Sequence, residues 1–146
     1  MAGPARDKDG RVKPYDDKQT IPDDAYIIRY IPSGWLIPNE GGGRRLSSGA
    51  FAGSSEETDP YQGMSADLMQ PMLDDGLGPT GRKEDRCAEA AVRLRVGALR
   101  ALGLRVGRDP GQTGDPYHVN VWDVQKRHRR KIRNIAEWID KPDDVA

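Results

Sequence analysis

The run Tyr117-His118-Val119-Asn120-Val121-Trp122 alternates residue by residue, and the basic block Lys126-Arg127-His128-Arg129-Arg130-Lys131-Ile132-Arg133 follows almost at once. Strict alternation sends successive side chains to opposite sides of a pleated strand. A chain holding such a run must build a sheet around it. Tyr117, Val119 and Val121 are expected to face the core, with His118, Asn120 and Trp122 forming a polar-aromatic face along a cleft. The period then changes. Ile132, Ile135, Ala136 and Ile139 recur at i, i+3, i+4 and i+7, which predicts a basic amphipathic helix to the C-terminal side with Trp138 beside its buried stripe.

Elsewhere glycine and proline set the pattern. With 17 glycines and 11 prolines among 146 residues, long elements are interrupted before they can form. A length of 146 residues suits one core rather than two, and a hydrophobic content of 36% with a mean hydropathy of −0.79 suits a compact domain with long polar connections. Ala25 to Ile31 is rich in β-branched and aromatic residues and predicts a strand. Pro32-Ser33-Gly34 turns it towards a second strand at Trp35-Leu36-Ile37, as in a hairpin. Leu46 to Phe51 reads as a short strand that packs Leu46 and Phe51 inward. Gly63 to Asp67 is a strand or a first helical turn. Leu68, Met69, Met72 and Leu73 share one helical face, which Pro71 keeps short. Cys87, Ala88, Ala91 and Val92 lie at helical spacing after Glu84, so a helix is expected there, with Cys87 as a small buried hydrophobe. A shorter helix, Ala98 to Leu102 closed by Gly103, precedes a strand at Leu104 to Val106. The loop 109–116 carries two Asp-Pro turns. The sum is an α+β fold, a small, mainly antiparallel sheet with two or three helices. It occupies 23–146 behind a flexible polar tail at 1–22.

Charge and cysteine content narrow the function classes. The 23 basic and 23 acidic residues cancel, so no global field draws the chain to nucleic acid or membrane, and any polyanion site must be local. The lone Cys87 excludes an internal disulfide and a cysteine-based zinc site. No apolar run approaches the length of about 18 to 20 residues that spans a bilayer. The front of the chain is charged, without an apolar targeting core, and a cytoplasmic setting is expected.

Four places could carry chemistry. Arg29 shares its strand face with Ile27 and Ile31, so its guanidinium needs a partner, an anion or a route to solvent. Gly41-Gly42-Gly43-Arg44-Arg45 lacks the fingerprint of a phosphate loop and reads as a hairpin tip. His118 opens the alternating strand; with His128 ten residues away and no carboxylate at helical spacing, metal binding is not expected. Lys126, Arg127, Arg129, Arg130, Lys131 and Arg133 crowd the start of their helix, where cations oppose the helix dipole. That placement does nothing for helix stability and points to a partner- or polyanion-binding surface.

Arg29 in a first strand, Ser47-Ser48 in a second block and a small α+β frame faintly resemble the ADP-ribosyltransferase and RES-type toxins that consume NAD. That likeness implies a catalytic set of Arg29, Ser47, Ser48 and His118. The chain departs from those families at the late catalytic glutamate, where His118 stands instead. Residues 25 to 139 more closely resemble small uncharacterised bacterial or phage proteins with an Arg-bearing first strand, an Arg-Leu-Ser-Ser-Gly-Ala-Phe segment and a late Pro-x-His strand. This second likeness implies a cytoplasmic protein acting beside a larger partner.

The leading expectation is therefore a non-enzymatic accessory protein that docks on a larger protein through its basic C-terminal helix, without a cofactor. The alternatives are an NAD- or nucleotide-cleaving enzyme and a nucleic-acid-binding accessory.

Overall fold

β-Branched and aromatic runs become strands, and the glycines and prolines between them become turns. In a computed structural model describing residues 4–111 and 114–146, the chain forms β1 (Tyr26–Ile31), β2 (Leu36–Pro38), β3 (Arg44–Leu46), β4 (Met64–Leu68), α1 (Met69–Asp74), β5 (Ala90–Arg95), α2 (Val96–Ala101), β6 (Arg105–Arg108), β7 (His118–Trp122), α3 (Arg129–Ile135) and β8 (Glu137–Asp140). Short 3-10 turns at Ser33–Trp35, Ser48–Phe51 and Lys126–His128 join them. Six strands make one antiparallel sheet in the order β6-β7-β4-β1-β5-β8, and β2 and β3 pair separately. The fold is α+β.

β1 lies inside the sheet and is covered on both faces. Ile27 and Ile31 enter the larger core with Phe51, Val92, Leu94, Leu99, Val119, Val121 and Ile132. Ile28 and Tyr30 enter a smaller one with Met72 and Ala91. Burial on both faces explains why β1 reads as a nearly unbroken apolar run. Its pairing with β5 is complete from Tyr26↔Arg95 to Ile31↔Ala90, whereas its pairing with β4 stops after Ile27↔Leu68 and Ile28↔Asp67. Beyond Ile28 the sheet is split.

Several sequence expectations are corrected. β1 does not pair with the strand after Pro32; that strand, β2, pairs with β3 around the glycine turn, where Asn39 N–H donates to Gly43 O. Leu46 to Phe51 is not one strand but the end of β3 and a 3-10 turn. The helix expected after Glu84 is replaced by turns and then β5, because Ala90, Val92 and Leu94 enter the larger core at a period of two. Cys87 is exposed, with a φ of +52°, rather than buried on a helical stripe. The basic helix is shorter than its periodicity suggests: Ala136 is already extended, and Trp138 and Ile139 belong to β8, the edge strand beside β5.

The segment expected to be a free tail lies on the sheet from Pro4 onwards. Tyr15 stacks on Trp122 with ring centroids 5.5 Å apart, and its hydroxyl donates to Arg108 O at 2.8 Å. Asp17 N–H donates to Val106 O on the outer side of β6 at 2.9 Å. Ile21 is fully buried in the larger core. Arg100 of α2 holds Asp16 at 2.8 Å and Asp23 at 2.9 Å. The strap covers an edge strand whose open backbone groups would otherwise invite pairing. It also explains why Trp122, expected beside a cleft, is buried. Gly107 lets the strap approach, since a Cβ there would meet the rings of Tyr15 and Trp122 at 2.9 Å. Residues 1–3 of the expected tail, and Gln112 and Thr113 of the loop 109–116, lie outside the described residues.

Candidate functional site

The basic block is organised by a buried histidine. His128 is only 4% exposed; its Nδ1 accepts from Gln125 N–H at 2.9 Å, and the Gln125 side chain accepts in return from the His128 backbone. This is a capping box with histidine in the place usually held by Glu or Gln. Burial lowers the His128 pKa, and Arg127 and Lys131 push the same way. A neutral ring is what the acceptor role requires. Ile132 anchors α3 in the larger core, against the turn Ser48–Phe51. The cations point the other way: Lys126, Arg127, Arg130 and Lys131 are exposed, and Arg129 and Arg133 are half-buried.

Ser48, Lys126, Arg127, Arg129 and Arg130 line a shallow cleft of about 320 Å³. Among the described residues none of the six cations of the block forms an ion pair with a carboxylate. Arg127 reaches only the Gln125 amide, at 3.0 Å. Arg129 Nε is buried without a hydrogen-bond partner, although buried polar groups are normally paired. The acids are engaged elsewhere: Glu89 and Asp144 on Arg44, Asp140 on Lys83, and Asp123 on Arg105. Zero net charge thus conceals a one-signed surface.

A second arginine cluster is built in the opposite way. Asp67 on β4 is 1% exposed and is flanked by Arg86 at 3.0 Å and Arg82 at 3.5 Å. Arg82 also binds Asp115 through both terminal nitrogens and lies over the ring of Tyr117, 5.3 Å from its centroid. The Arg82 guanidinium, helped by Tyr117 N–H, holds the Asp115 carboxyl well below the usual carboxylate range. Burial pushes Asp67 up instead, against the pull of Arg86 and Arg82. The neighbouring Tyr30 hydroxyl is pushed up to about 12, by burial first and by Asp67 second. This network fastens the turns before β5 to β4 and β7.

Arg29 stands apart from both clusters. Its Nε donates to Ala50 O at 3.0 Å and its Nη1 to Ser65 O at 2.7 Å, so it spans the split between β1 and β4. The Trp35 ring lies 5.1 Å from the guanidinium carbon. Burial alone lowers its pKa to about 10, with no contribution from any acid. Arg29, Tyr30, Trp35, Ser65 and Arg86 line a slot of about 190 Å³.

The four residues of the enzymatic expectation therefore do not line one cavity. Arg29 lines the slot. Ser47 caps the 3-10 turn by accepting from Gly49 N–H at 3.0 Å, and Ser48 faces the basic cleft. His118 lines a groove of about 870 Å³ under the strap, with Lys13, Tyr15, Arg108 and Pro116; its Nδ1 is in contact with Asp109 O. Sequence reasoning singled out the basic block and Arg29 but missed the Asp67–Arg82–Arg86–Asp115 network, whose members come from β4, the turns before β5 and the turn before β7. Only Asp67, a carboxylate between Ala66 and Leu68, signalled a buried acid in need of cations. Among the described residues no group of three or more His, Cys, Asp or Glu side chains could hold a metal ion, and no helix is long and apolar enough to cross a membrane. No family model, no curated protein and no solved structure matches the chain.

Proposed function

We propose that this chain is a non-enzymatic docking module that binds an acidic surface of a larger protein through the cleft formed by Ser48 and the basic block. One observation carries this reading: among the described residues six cations sit together without a paired carboxylate, whereas the other buried and half-buried arginines are mostly paired. Such a surface repels itself, and an acidic partner removes that penalty while supplying charge-assisted hydrogen bonds. An acidic protein is favoured over nucleic acid on two grounds. α3 has seven residues, about 10 Å at 1.5 Å per residue, which is a short track for a phosphate backbone. Among the described residues no aromatic ring lines the cleft on which a base could stack.

The test uses the whole chain with two defined polyanions, poly-glutamate and a short RNA, each titrated across a salt series. Poly-glutamate is expected to bind the native chain, and the charge reversal Arg129→Glu/Arg130→Glu to abolish binding while the fold is retained. Equal binding by the native and reversed chains would remove the proposal. Preference for RNA with a steep salt slope, lost in the same variant, would replace it with the nucleic-acid reading.

A further inference from the structure

We propose that the slot where β1 and β4 part is a binding site for a small oxyanion, a phosphate or the phosphate end of a phosphomonoester, held between Arg29 and Arg86. Arg29 is a charge without a counter-charge among the described residues. Arg29 lies on the strand face that Ile27 and Ile31 use to build the larger core. A guanidinium taken out of water in such a place needs compensation. Among the described residues no carboxylate pairs with it. Its compensation consists of the carbonyls of Ala50 and Ser65 and the face of Trp35. Those are dipoles and a quadrupole, and the full positive charge remains.

The rest of the slot supplies what an oxyanion needs. Arg86 enters from the opposite face of the sheet and uses Nη2 on Asp67 and Asp115; among the described residues its Nε and Nη1 have no hydrogen-bond partner. The exposed Ser65 adds a hydroxyl at the rim, able to donate or accept. Arg29, which lines the slot, has its Nη2 likewise free of a protein partner among the described residues. Guanidinium donors from two sides suit a tetrahedral oxyanion, whose oxygens face several directions.

Size sets the ligand class. At about 190 Å³ the slot holds several times the roughly 30 Å³ share of one water. It falls below the roughly 300 Å³ at which pockets begin to enclose a whole drug-sized ligand. A phosphate fits, and anything attached to it must project outward past Trp35 and Pro32. A complete pairing with β5 on one side of β1 and a truncated one with β4 on the other create this gap, so the site belongs to the sheet itself.

The experiment is thermal unfolding of the full chain in increasing inorganic phosphate, against chloride at matched ionic strength. A ligand that binds only the folded state raises stability by RT ln(1 + [L]/Kd). A saturable rise with phosphate is expected on top of the gradual, non-saturating effect that phosphate exerts on any protein. Arg29→Met keeps the stem and removes the charge. It should weaken the saturable component at least tenfold and leave the gradual one. Arg129→Glu/Arg130→Glu should keep the saturable component that Arg29→Met loses, which separates this site from the docking surface. A parallel titration with glycerol 3-phosphate distinguishes the source: a lower midpoint than inorganic phosphate assigns a phosphomonoester, and an equal or higher one assigns free phosphate. Where Arg29→Met fails to fold, the Arg29 Nε–H resonance of the native chain gives the answer, since it must shift saturably with phosphate. An absent saturable rise, its persistence in Arg29→Met, its loss in the Arg129/Arg130 variant, or an unmoved resonance would each overturn the proposal.

Discussion

Arg82 and Arg86 on one side of the molecule, and Arg129 and Arg130 on another, are the same residue type used for opposite ends. The first pair shares the buried carboxylate of Asp67 and the half-buried one of Asp115. The second pair lines an open cleft with no carboxylate bound. In the first cluster every charge has a local answer, so removing one leaves others stranded. In the second, removing a charge relieves its neighbours. The difference separates charge that holds the fold together from charge that the fold merely presents.

The largest expected effect follows from stranding. Asp67→Ala should lower unfolding stability by about 3 kcal/mol, the low end for breaking a buried ion pair, because Arg82 and Arg86 retain some access to water. Urea midpoints would measure it. A loss no greater than that of a surface substitution would erase the distinction between the clusters.

The next effect is a dependence on acid. Arg82 lowers the Asp115 pKa, so the stability Asp115 contributes is fully present above its unfolded value of about 3.9 and is lost as pH falls below it. Asp67 has the opposite sign: its raised pKa means that protonation in acid relieves the fold. Stability measured from pH 5 down to pH 2 should therefore fall in the native chain, and fall less steeply in Asp115→Asn, which starts from a lower value at neutral pH. Parallel curves for the two chains would show that the pairing is not what acid breaks.

His128 connects the basic block to pH in a milder range. Its pKa is lowered on folding, so the unfolded chain takes up the proton first, and stability declines as pH falls through about 6.5. His128→Gln keeps a side chain able to close the capping box and should remove that decline between pH 7 and pH 5. A slope that survives the substitution must originate elsewhere.

The smallest stability effect belongs to Arg129→Glu/Arg130→Glu. It should stay within about 0.5 kcal/mol of the native chain, as substitutions away from the core usually do. A loss approaching that of Asp67→Ala would place the block among the fold's own supports. That would remove the basis for a docking surface.

The same contrast governs what could be read from the sequence. β1 and β7 were legible because their apolar residues report burial directly. β5 was misread because Cys87, Ala88, Ala91 and Val92 mimic a helical stripe, while the alternation of Ala90, Val92 and Leu94 runs over the same residues. β8 was absorbed into α3 because Ile132, Ile135 and Ala136 extend at helical spacing to Ile139, which packs instead on the smaller core. The basic block was visible because like charges are adjacent in sequence. The paired network was not, since Asp67, Arg82, Arg86 and Asp115 meet only after β4, β5 and β7 have come together. Composition could show that the charges balance, but not which ones do so in contact.

The strap ties residues 15–21 to strands made some 90 residues later, β6 and β7. Tyr15 must wait for Arg108, 93 residues later, and at about 5 to 20 residues per second that is roughly 5 to 20 seconds of synthesis. Until then the contacts of the strap with Val106, Arg108 and Trp122 cannot form, and contacts of such long sequence separation form slowly even in a finished chain. Closing the strap is therefore a late step of folding, and a fragment that ends before Arg105 would leave Tyr15 and Asp17 without their partners.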